Sequence, residues 1–278
     1  MGSKNERLDL DYEAVRRYWD RTAGTAAAAS YMAHEQGLPQ SCLDDRFALE
    51  REVVDRWFAD LGSESAVLDL GCGSGAWTEL FAQRYRRVVG IEQSAKMMAD
   101  ARERLRNMRN VDLIEGDCLT APIEGKFQGA FFGGMLMYLN RDDAVKLLAR
   151  VARFVPEGKI ILRETGGRSG VEIKTGDYPV AYRSPDEYAA IAAEAGLRVR
   201  AVERNRGYAR MEVAVEVVNL VRRLPILQQR DPAVVGGPVW RALHYTSPVS
   251  LELLPRVIKA AGIDWPHLSN NFILLEHA

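Results

Sequence analysis

The feature that most restricts how this chain can fold is an alternation of two patterns that begins at Ala66. Short apolar runs of the kind found in buried strands alternate with longer segments whose apolar residues recur at helical spacing. The strand-like runs are AVLDL, RVVGIE, VDLIEGD, GAFFGG, KIILRE and LRVRAVE, and the last run, NNFILLEHA, also has the pattern of a strand. This alternation predicts a mainly parallel sheet with helices on both faces.

The segments on either side of this alternation predict helical additions to the α/β core. Residues from about Tyr12 to Asp60 repeat apolar positions at helical spacing, with one break near Gly37. Beyond Glu203, two helix patterns, ARMEVAVEVVNLVRRL and SPVSLELLPRVIKAAG, flank the proline- and glycine-bearing stretch DPAVVGGPVW. We therefore expect an N-terminal helical cover over residues 1–60, an α/β core over residues 61–206 and 270–278, and a helical lid or insertion over residues 207–269.

Composition restricts the classes of partner. The 278 residues include 37 lysines and arginines and 38 aspartates and glutamates, which gives a formal net charge of -1. This balance creates no long-range field that would attract nucleic acid or an anionic membrane. We therefore expect neither partner.

The cysteines and the apolar runs predict the compartment. Cys42, Cys72 and Cys118 are widely spaced and contain no CxxC pair, so neither a disulfide framework nor a zinc site is expected. No compact cluster of carboxylates and histidines indicates another metal site. The N-terminus is polar, and no run approaches the ~20 apolar residues that span a bilayer. These features together predict a cytoplasmic protein.

The stretch VLDLGCGSGAWT places three glycines, Gly71, Gly73 and Gly75, between a predicted strand and a predicted helix. Glycine there permits a sharp turn and close approach of the backbone to a ligand, as any nucleotide site requires. Gly71, Gly73 and Ala76 also satisfy the NAD fingerprint, and Glu92 follows at about the 20-residue distance of a ribose-binding acid. The glycine pattern alone therefore leaves the nucleotide open.

Three features of the strand ends favour a cationic nucleoside over a dinucleotide. Asp69 lies two positions before the first glycine, where a carboxylate would repel a pyrophosphate but suits an ammonium group. Asp117 ends the third strand pattern and suits the exocyclic amine of adenine. Gly133 and Gly134 end the fourth strand pattern, at the sheet edge where open α/β sheets bind ligands.

Four segments then carry a resemblance to a known family. VLDLGCGSG, VVGIEQSAKMMADAR, IEGDC and FQGAFFGGMLMYL resemble, in order and spacing, the successive motifs of the class I S-adenosylmethionine-dependent methyltransferases. The resemblance covers roughly Glu64 to Glu203. It implies a Rossmann-like, doubly wound sheet of seven strands whose last strand is antiparallel, and NNFILLEHA would be that strand.

The same resemblance implies S-adenosylmethionine as cofactor and a role for each motif. The glycine loop would face the methionine portion and the ribose, Glu92 the ribose hydroxyls, and Asp117 the adenine amine. Aromatic rings in the N-terminal cover would favour the sulfonium cation. The residues expected to bind the cofactor are Tyr18, Trp19, Asp69, Gly71, Cys72, Gly73, Gly75, Glu92, Gln93, Met97, Asp117, Cys118 and Gly133. The alternative for Met97 and Cys118 is ordinary burial in the core. The alternative for Asp69 is a structural contact with the glycine loop, and the Tyr18–Trp19 pair could instead anchor the first helix.

The residues that would act on the methyl acceptor are less clearly marked. His34, in the N-terminal cover, has the ordinary titration range of a general base, although a structural histidine near a helix end is the alternative. Tyr138 and Glu164 are further catalytic candidates, at the ends of the fourth and fifth strand patterns. The expected acceptor-binding residues are Tyr31, Glu35, Arg163, Tyr178, Tyr182 and Trp240.

These observations together predict an enzyme that transfers a methyl group to oxygen or nitrogen of a small organic acceptor, of the kind found in specialised, natural-product metabolism. The Asn/Asp-Pro-Pro-aromatic motif of amino methylation in nucleic acids is missing after the fourth strand pattern, where GGMLMY stands instead. The alternatives are a protein or peptide methyltransferase, a non-methylating S-adenosylmethionine-binding protein such as a cyclase or regulatory subunit, and an NAD-dependent oxidoreductase. We expect a monomer or a homodimer.

Overall fold

The computed structural model describes residues 9–23, 36–167, 169–176, 178–247, 249–263, 265–266 and 268–278. Its strands are β1 Ala66–Leu70, β2 Arg87–Glu92, β3 Val111–Glu115, β4 Gly129–Phe132, β5 Lys159–Gly166, β6 Val171–Lys174, β7 Val180–Arg183, β8 Leu197–Arg204 and β9 Ser269–His277. Its α-helices are α1 Tyr12–Thr22, α2 Gln40–Trp57, α3 Ala76–Ala82, α4 Ala95–Arg104, α5 Arg141–Phe154, α6 Pro185–Glu194, α7 Arg206–Val221, α8 Pro232–Tyr245 and α9 Leu254–Ala260. A short 3-10 turn covers Leu136–Tyr138, and a π-helical turn covers Val249–Leu253.

The main sheet has the predicted architecture. Its seven strands lie in the order β3-β2-β1-β4-β5-β9-β8. The first five strands pair in parallel, whereas β9 runs antiparallel to both β5 and β8. The doubly wound, Rossmann-like sheet with an antiparallel last strand is therefore confirmed.

Apolar side chains cover both faces of this sheet, which explains why its central strands are nearly continuous apolar runs. On one face, side chains of β1, β2, β4 and β5 pack against α5 and α6. On the other face, the carboxyl-terminal half of α2 and helix α3 cover the same strands, with Trp57 and Phe81 among the buried residues. Every residue of β1 is buried, Asp69 included.

A second apolar cluster joins the N-terminal and insertion helices. Residues of α2, α7 and α8 form it, including Cys42, Met211 and Trp240. Helices α2 and α7 approach closely because Gly207 has no side chain: a Cβ there would lie 2.5 Å from the carbonyl oxygen of Arg46. The amino-terminal half of α2 therefore belongs to this cluster, and the carboxyl-terminal half belongs to the sheet.

Two segments differ from the sequence interpretation. The segment after β5, in which the sequence analysis found no strand pattern, contains the antiparallel hairpin β6–β7. The stretch DPAVVGGPVW forms most of helix α8, whose first turn is capped by the Asp231 carboxylate at Ala233 N, 2.8 Å away. Its glycines do not break the helix: a Cβ at Gly236 would lie 2.3 Å from the Gln36 carbonyl oxygen, so this glycine permits close packing.

The predicted helical region from Tyr12 to Asp60 forms α1 and α2, and residues 24–35 between them lie outside the described residues. Among the helices of the described residues, none is long and apolar enough to cross a membrane. The three-part division of the chain remains a prediction.

Candidate active site

A cavity of about 780 Å³ lies at the carboxyl ends of the central parallel strands, where open α/β sheets bind ligands. Its volume falls within the range of small-molecule and cofactor sites, about 300–1,000 Å³. Residues of α1 and α2 form its cover, and the glycine loop, the ends of β2 and β4, and the segment after β3 form its floor. The predicted site residues that line it are Trp19, Asp69, Gly71, Cys72, Gly73, Glu92, Gln93, Met97, Asp117, Cys118, Gly133, Tyr138 and Arg163.

The glycine loop turns sharply from β1 into α3. Gly71 and Gly73 both have positive φ angles, of 68° and 56°, a region in which residues with a side chain are strained. The Gly71 and Cys72 amides both donate to the carbonyl oxygen of Ile91, at 2.9 and 3.0 Å. A Cβ at Gly71 would lie 2.9 Å from Cβ of Met135, whereas one at Gly73 would meet no protein atom within 4 Å. Gly73 therefore presents bare backbone to the cavity.

Glu92 connects this loop to the end of β2. One of its carboxylate oxygens accepts from the Gly73 amide at 3.1 Å, and the other accepts from the Ser94 amide at 2.8 Å. Burial raises the pKa of Glu92, and the backbone hydrogen bonds from Ser94, Gly73 and Gln93 oppose this rise. A carboxylate has about four acceptor positions, so at least one of them remains for a ligand in the cavity.

Asp69 is 1% exposed and is tied to the first turn of α3. Its Oδ2 atom accepts a hydrogen bond from the Thr78 hydroxyl at 2.7 Å. Burial raises the pKa of Asp69 to about 7, with the negative charge of Glu92 adding to the rise. The side chain therefore serves the loop structurally and also lines the cavity.

The far end of the cavity is formed by α4 and by the turn after β3. Asp117 is exposed, and its Oδ1 atom accepts from the Leu119 amide at 2.9 Å. Cys118 and Met97 are buried and line the same end. Burial raises the pKa of Cys118 to about 12, so this side chain stays a neutral thiol at neutral pH.

Aromatic rings join the cover to the floor near the end of β4. Trp19 of α1 meets Tyr138 edge to face, with ring centroids 5.4 Å apart. The Tyr138 hydroxyl lies 2.7 Å from the Tyr178 hydroxyl, and the Tyr178 ring packs against Tyr18 at 4.8 Å. Trp19 and Tyr138 line the cavity, whereas Tyr18, Tyr178 and Tyr182 lie outside its lining.

Glu164 lies behind the 3-10 turn rather than in the cavity lining. Its two oxygens accept from the amides of Leu136 and Met137, at 3.1 and 3.2 Å. Arg183 donates to two carbonyl oxygens of the same segment, those of Leu136 and Leu139, at 3.0 and 2.6 Å. These two buried side chains hold the turn that carries Tyr138 into the cavity.

The remaining predicted site residues lie elsewhere. Trp240 is 2% exposed within the cluster of α2, α7 and α8, and it is outside the cavity lining. Gly75 is also outside the lining and forms the N-cap of α3. Tyr31, His34 and Glu35 lie outside the described residues. Within the described residues, no group of three His, Cys, Asp or Glu side chains is placed to hold a metal ion.

Several cavity residues were missed by sequence reasoning. Arg46 and Phe47 project from α2, and Trp77 follows directly after the glycine loop. Phe47 and Trp77 contact each other edge to face at 4.9 Å. Trp77 carried a usable signal, because it is the second helical residue after a ligand-binding loop. The sequence gives no such signal for Arg46, because whether its side chain faces the cavity depends on how α2 packs on the sheet.

Part of the chain matches a known family of protein domains. Residues 67–158 match the family model described as a methyltransferase domain. The ribosomal RNA small subunit methyltransferase A of Bacillus mycoides is 35% identical over 154 residues, which cover 52% of this chain and 51% of that protein. The chain therefore spans about half the length of the curated relatives it matches.

Solved structures with a similar fold support the assignment of the fold. The 4+2 cyclase SpnF superimposes with a TM-score of 0.65 at 16% identity, over 97% of both chains. The 1,6-didemethyltoxoflavin-N1-methyltransferase of Burkholderia thailandensis, solved with 1,6-didemethyltoxoflavin and S-adenosylhomocysteine, superimposes with a TM-score of 0.54 at 18% identity, over 69% of this chain and 80% of that one. The chain has the class I S-adenosylmethionine-dependent methyltransferase fold, and its residues 67–158 match a methyltransferase domain, so the predicted resemblance is confirmed.

Proposed function

We propose that this protein is an S-adenosylmethionine-dependent methyltransferase that acts on oxygen or nitrogen of a small organic acceptor, in specialised metabolism. The observation that carries the proposal is the convergence of the four motifs on one covered cavity. The glycine loop, Glu92, the Asp117–Cys118 pair and Gly133 come from four different strand ends and line the same space. The match of residues 67–158 to a methyltransferase domain supports the same activity.

On the cofactor side, the bare backbone at Gly73 allows close approach of the cofactor, and Glu92 accepts from its ribose hydroxyls. When bound, S-adenosylmethionine supplies a methyl group on a positively charged sulfur. The rings of Trp19 and Tyr138 favour that positive charge. The cover formed by α1 and α2 excludes water and aligns the acceptor, which is most of what an in-line displacement requires.

On the acceptor side, we expect Tyr138 to orient the nucleophile. Burial raises the pKa of its phenol well above the usual value, and Tyr178 adds to the rise. Tyr138 therefore stays protonated at neutral pH and acts as a hydrogen-bonding group rather than as a base. We assign proton removal to His34, and the pH–rate profile of His34→Ala tests this: loss of a general base lowers the rate by ~10²–10⁴-fold. A rate close to that of the parent would return His34 to a structural role.

The small-molecule class rests on the enclosed cavity and on the charge of the chain. The net charge of -1 gives no attraction for RNA, although the Bacillus mycoides relative is an RNA methyltransferase by name. Helix α1 is fixed over the cavity by a hydrogen bond of 2.6 Å from the Ser94 hydroxyl to Asp20. A covered site of this kind suits a small acceptor better than a nucleic acid or a protein tail.

A second candidate function is a reaction without methyl transfer. The similarity to the 4+2 cyclase SpnF extends over 97% of both chains, further than that to the 1,6-didemethyltoxoflavin-N1-methyltransferase. One fold can host both chemistries, so the fold alone does not choose between them. Turnover distinguishes them, because a methyltransferase releases one S-adenosylhomocysteine for each acceptor methylated and a cyclase leaves the cofactor unchanged.

The first experiment is an acceptor screen in which released S-adenosylhomocysteine is measured over panels of small phenols, carboxylic acids, amines, peptides and RNA. The proposal predicts release with a small acceptor and none with peptides or RNA. Release with RNA or peptide alone would contradict the acceptor class. Cofactor binding with no release from any panel, together with an isomerised substrate, would favour the cyclase reading.

A further inference from the structure

The hairpin β6–β7 carries an exposed strand edge. Its two strands form a sheet of their own, separate from the main one. Strand β7 is fully buried, whereas every residue of β6 is exposed, including Val171 at 47% and Ile173 at 36%. Within the described part of the chain, no other strand pairs with the outer edge of β6. An edge of this kind is a template for pairing with a strand of another chain.

The direction of the backbone groups on this edge follows from one hydrogen bond. The carbonyl oxygen of Gly170 accepts from the Ser184 amide at 2.9 Å, so it points toward the β7 side of the hairpin. The amide of Val171 belongs to the same planar peptide unit as that carbonyl and therefore points the opposite way. In an antiparallel pair this direction alternates from residue to residue, so the amides and carbonyls of Val171 and Ile173 point outward. These groups are placed to pair with a further strand.

Charged side chains decide which strand fits this edge. Glu172 and Lys174 lie on one face of β6, where the Lys174 ammonium is 3.9 Å from Glu172 and 5.0 Å from the centre of the Tyr182 ring. A lysine on a short edge strand usually opposes pairing with other strands. The glutamate two positions earlier makes this edge selective, because a strand with the two charges in reverse order would place an opposite charge beside each of them. An antiparallel second copy of β6 presents that order.

One register of such a pair satisfies both the backbone groups and the charges. The outward groups of β6 allow a second copy to pair about a two-fold axis at Glu172, at Ile173 or at Lys174. An axis at Glu172 or at Lys174 would place like charges directly opposite each other, which is destabilising. An axis at Ile173 instead places Glu172 of each copy opposite Lys174 of the other. These would be non-hydrogen-bonded pairs, in which facing side chains are closest.

We propose that this protein forms a homodimer in which two β6 strands pair antiparallel about a two-fold axis at Ile173. The two hairpins then form one four-stranded sheet in the order β7-β6-β6-β7. The Ile173 residues of the two copies face each other across the axis and exchange backbone hydrogen bonds. Because the pairing uses the free β6 edge of both copies, the assembly closes at two chains. The dimer does not depend on the reaction that the cavity supports.

Charge-reversed variants of the full chain test the pairing by sedimentation velocity over about a hundredfold range of protein concentration. The parent should shift from the mass of one chain, 31.1 kDa, toward twice that mass as the concentration rises. Glu172→Lys and Lys174→Glu each place like charges opposite each other, so each variant alone should stay monomeric. An equal mixture of the two variants has opposite charges at both pairs and should dimerise. Because this recovery requires both chains to be folded, a folding defect does not imitate it.

Introduced cysteines test the register. Ile173→Cys places the two new thiols directly opposite each other, within the Cα distance that a disulfide requires. In the matched control Val171→Cys, on the same face of β6, the two thiols are four residues apart along the strands, about 13 Å, too far for a disulfide. Mild oxidation should therefore cross-link Ile173→Cys and not Val171→Cys on a denaturing gel. The native thiols of Cys42, Cys72 and Cys118 are buried.

The proposal is overturned if the parent keeps the mass of one chain over the whole range, or if it forms assemblies larger than two chains. It is also overturned if either charge-reversed variant dimerises as the parent does, because the dimer would then use another face of the protein. A mixture of the two variants that stays monomeric contradicts the charge pairing. Cross-linking of Val171→Cys in preference to Ile173→Cys contradicts the two-fold axis at Ile173.

Discussion

Replacement of Glu92 by alanine is the change expected to affect cofactor binding most directly. The Glu92 side chain is 9% exposed and accepts from the amides of Gly73 and Ser94, at 3.1 and 2.8 Å. Glu92→Ala removes the acceptor for the ribose hydroxyls and leaves two loop amides without their partner. The cofactor therefore loses its own hydrogen bonds and also meets a loosened loop.

The magnitude follows from the hydrogen bonds to a charged group, which contribute about 1.5–3 kcal/mol to binding. Converted at about 1.4 kcal/mol per tenfold, this predicts a loss of roughly 10- to 150-fold in affinity. Glu92→Gln keeps one oxygen acceptor and should lose less than Glu92→Ala. The free energy of unfolding without cofactor should also fall in Glu92→Ala, since the two amides are partly buried.

The assay is isothermal titration of S-adenosylhomocysteine into each variant. The matched control is Glu115→Ala, because Glu115 stands beside Glu92 in the neighbouring strand but is exposed, pairs with Arg102, and is outside the cavity lining. The control should bind with parental affinity. An affinity of Glu92→Ala within twofold of the parent would refute the role of Glu92 in the site.

Three further predictions concern other parts of the structure. Gly73→Ala should weaken S-adenosylhomocysteine binding more than Gly71→Ala does. Gly71→Ala should lower the melting temperature more than Gly73→Ala does, because only a Cβ at position 71 would meet Met135, at 2.9 Å. Titration checks the first expectation and thermal unfolding the second, and the reverse order would contradict the loop geometry. Tyr138→Phe should lower kcat and leave S-adenosylhomocysteine affinity within about twofold, since it removes a phenol hydrogen bond of 2.7 Å on the acceptor side; an unchanged kcat would remove Tyr138 from the reaction. Burial raises the pKa of Glu212 from 4.5 to about 8, so its contribution to stability is fully present below about pH 4.5 and is lost as the pH rises to about 8. Relative to that of the parent, the free energy of unfolding of Glu212→Gln should therefore increase by about 1 kcal/mol or more between pH 5 and pH 9. Thermal unfolding at the two pH values measures this difference, and a pH-independent difference would contradict the raised pKa.

The sheet was predictable because its signals are local. Each buried parallel strand is a short apolar run, and the run ends directly at the residues that reach the cavity, as with Glu92 and Asp117. The carboxyl ends of parallel strands meet at one edge, so residues distant in sequence converge without further information. The antiparallel β9 followed from the family resemblance, since its sequence shows only that it is a strand.

The helical additions were less predictable because they depend on docking. Proline and glycine usually mark a break, yet Gly236 lies within α8 because the backbone at Gln36 and Gly37 packs against it. No local sequence pattern indicates that residues so distant in sequence pack against each other. The same reason hid Arg46, whose access to the cavity depends on the position of α2 over the sheet.

The pair Arg163–Glu164 shows a further gap in sequence reasoning. Both were chosen as site residues because they end the fifth strand pattern. Successive side chains of a strand point to opposite faces, so only one of two neighbours can face a given cavity. Arg163 lines the cavity, whereas Glu164 holds the 3-10 turn behind it.

Calorimetric titration of the purified protein with S-adenosylmethionine and, separately, with NAD tests most directly whether the cavity binds a sulfonium nucleoside. Mass spectrometry of the protein as purified would show in parallel whether S-adenosylhomocysteine is retained. We expect one binding site per chain for S-adenosylmethionine and no binding of NAD. Binding of NAD without binding of S-adenosylmethionine would contradict it, because the strand-end acids would then face a dinucleotide.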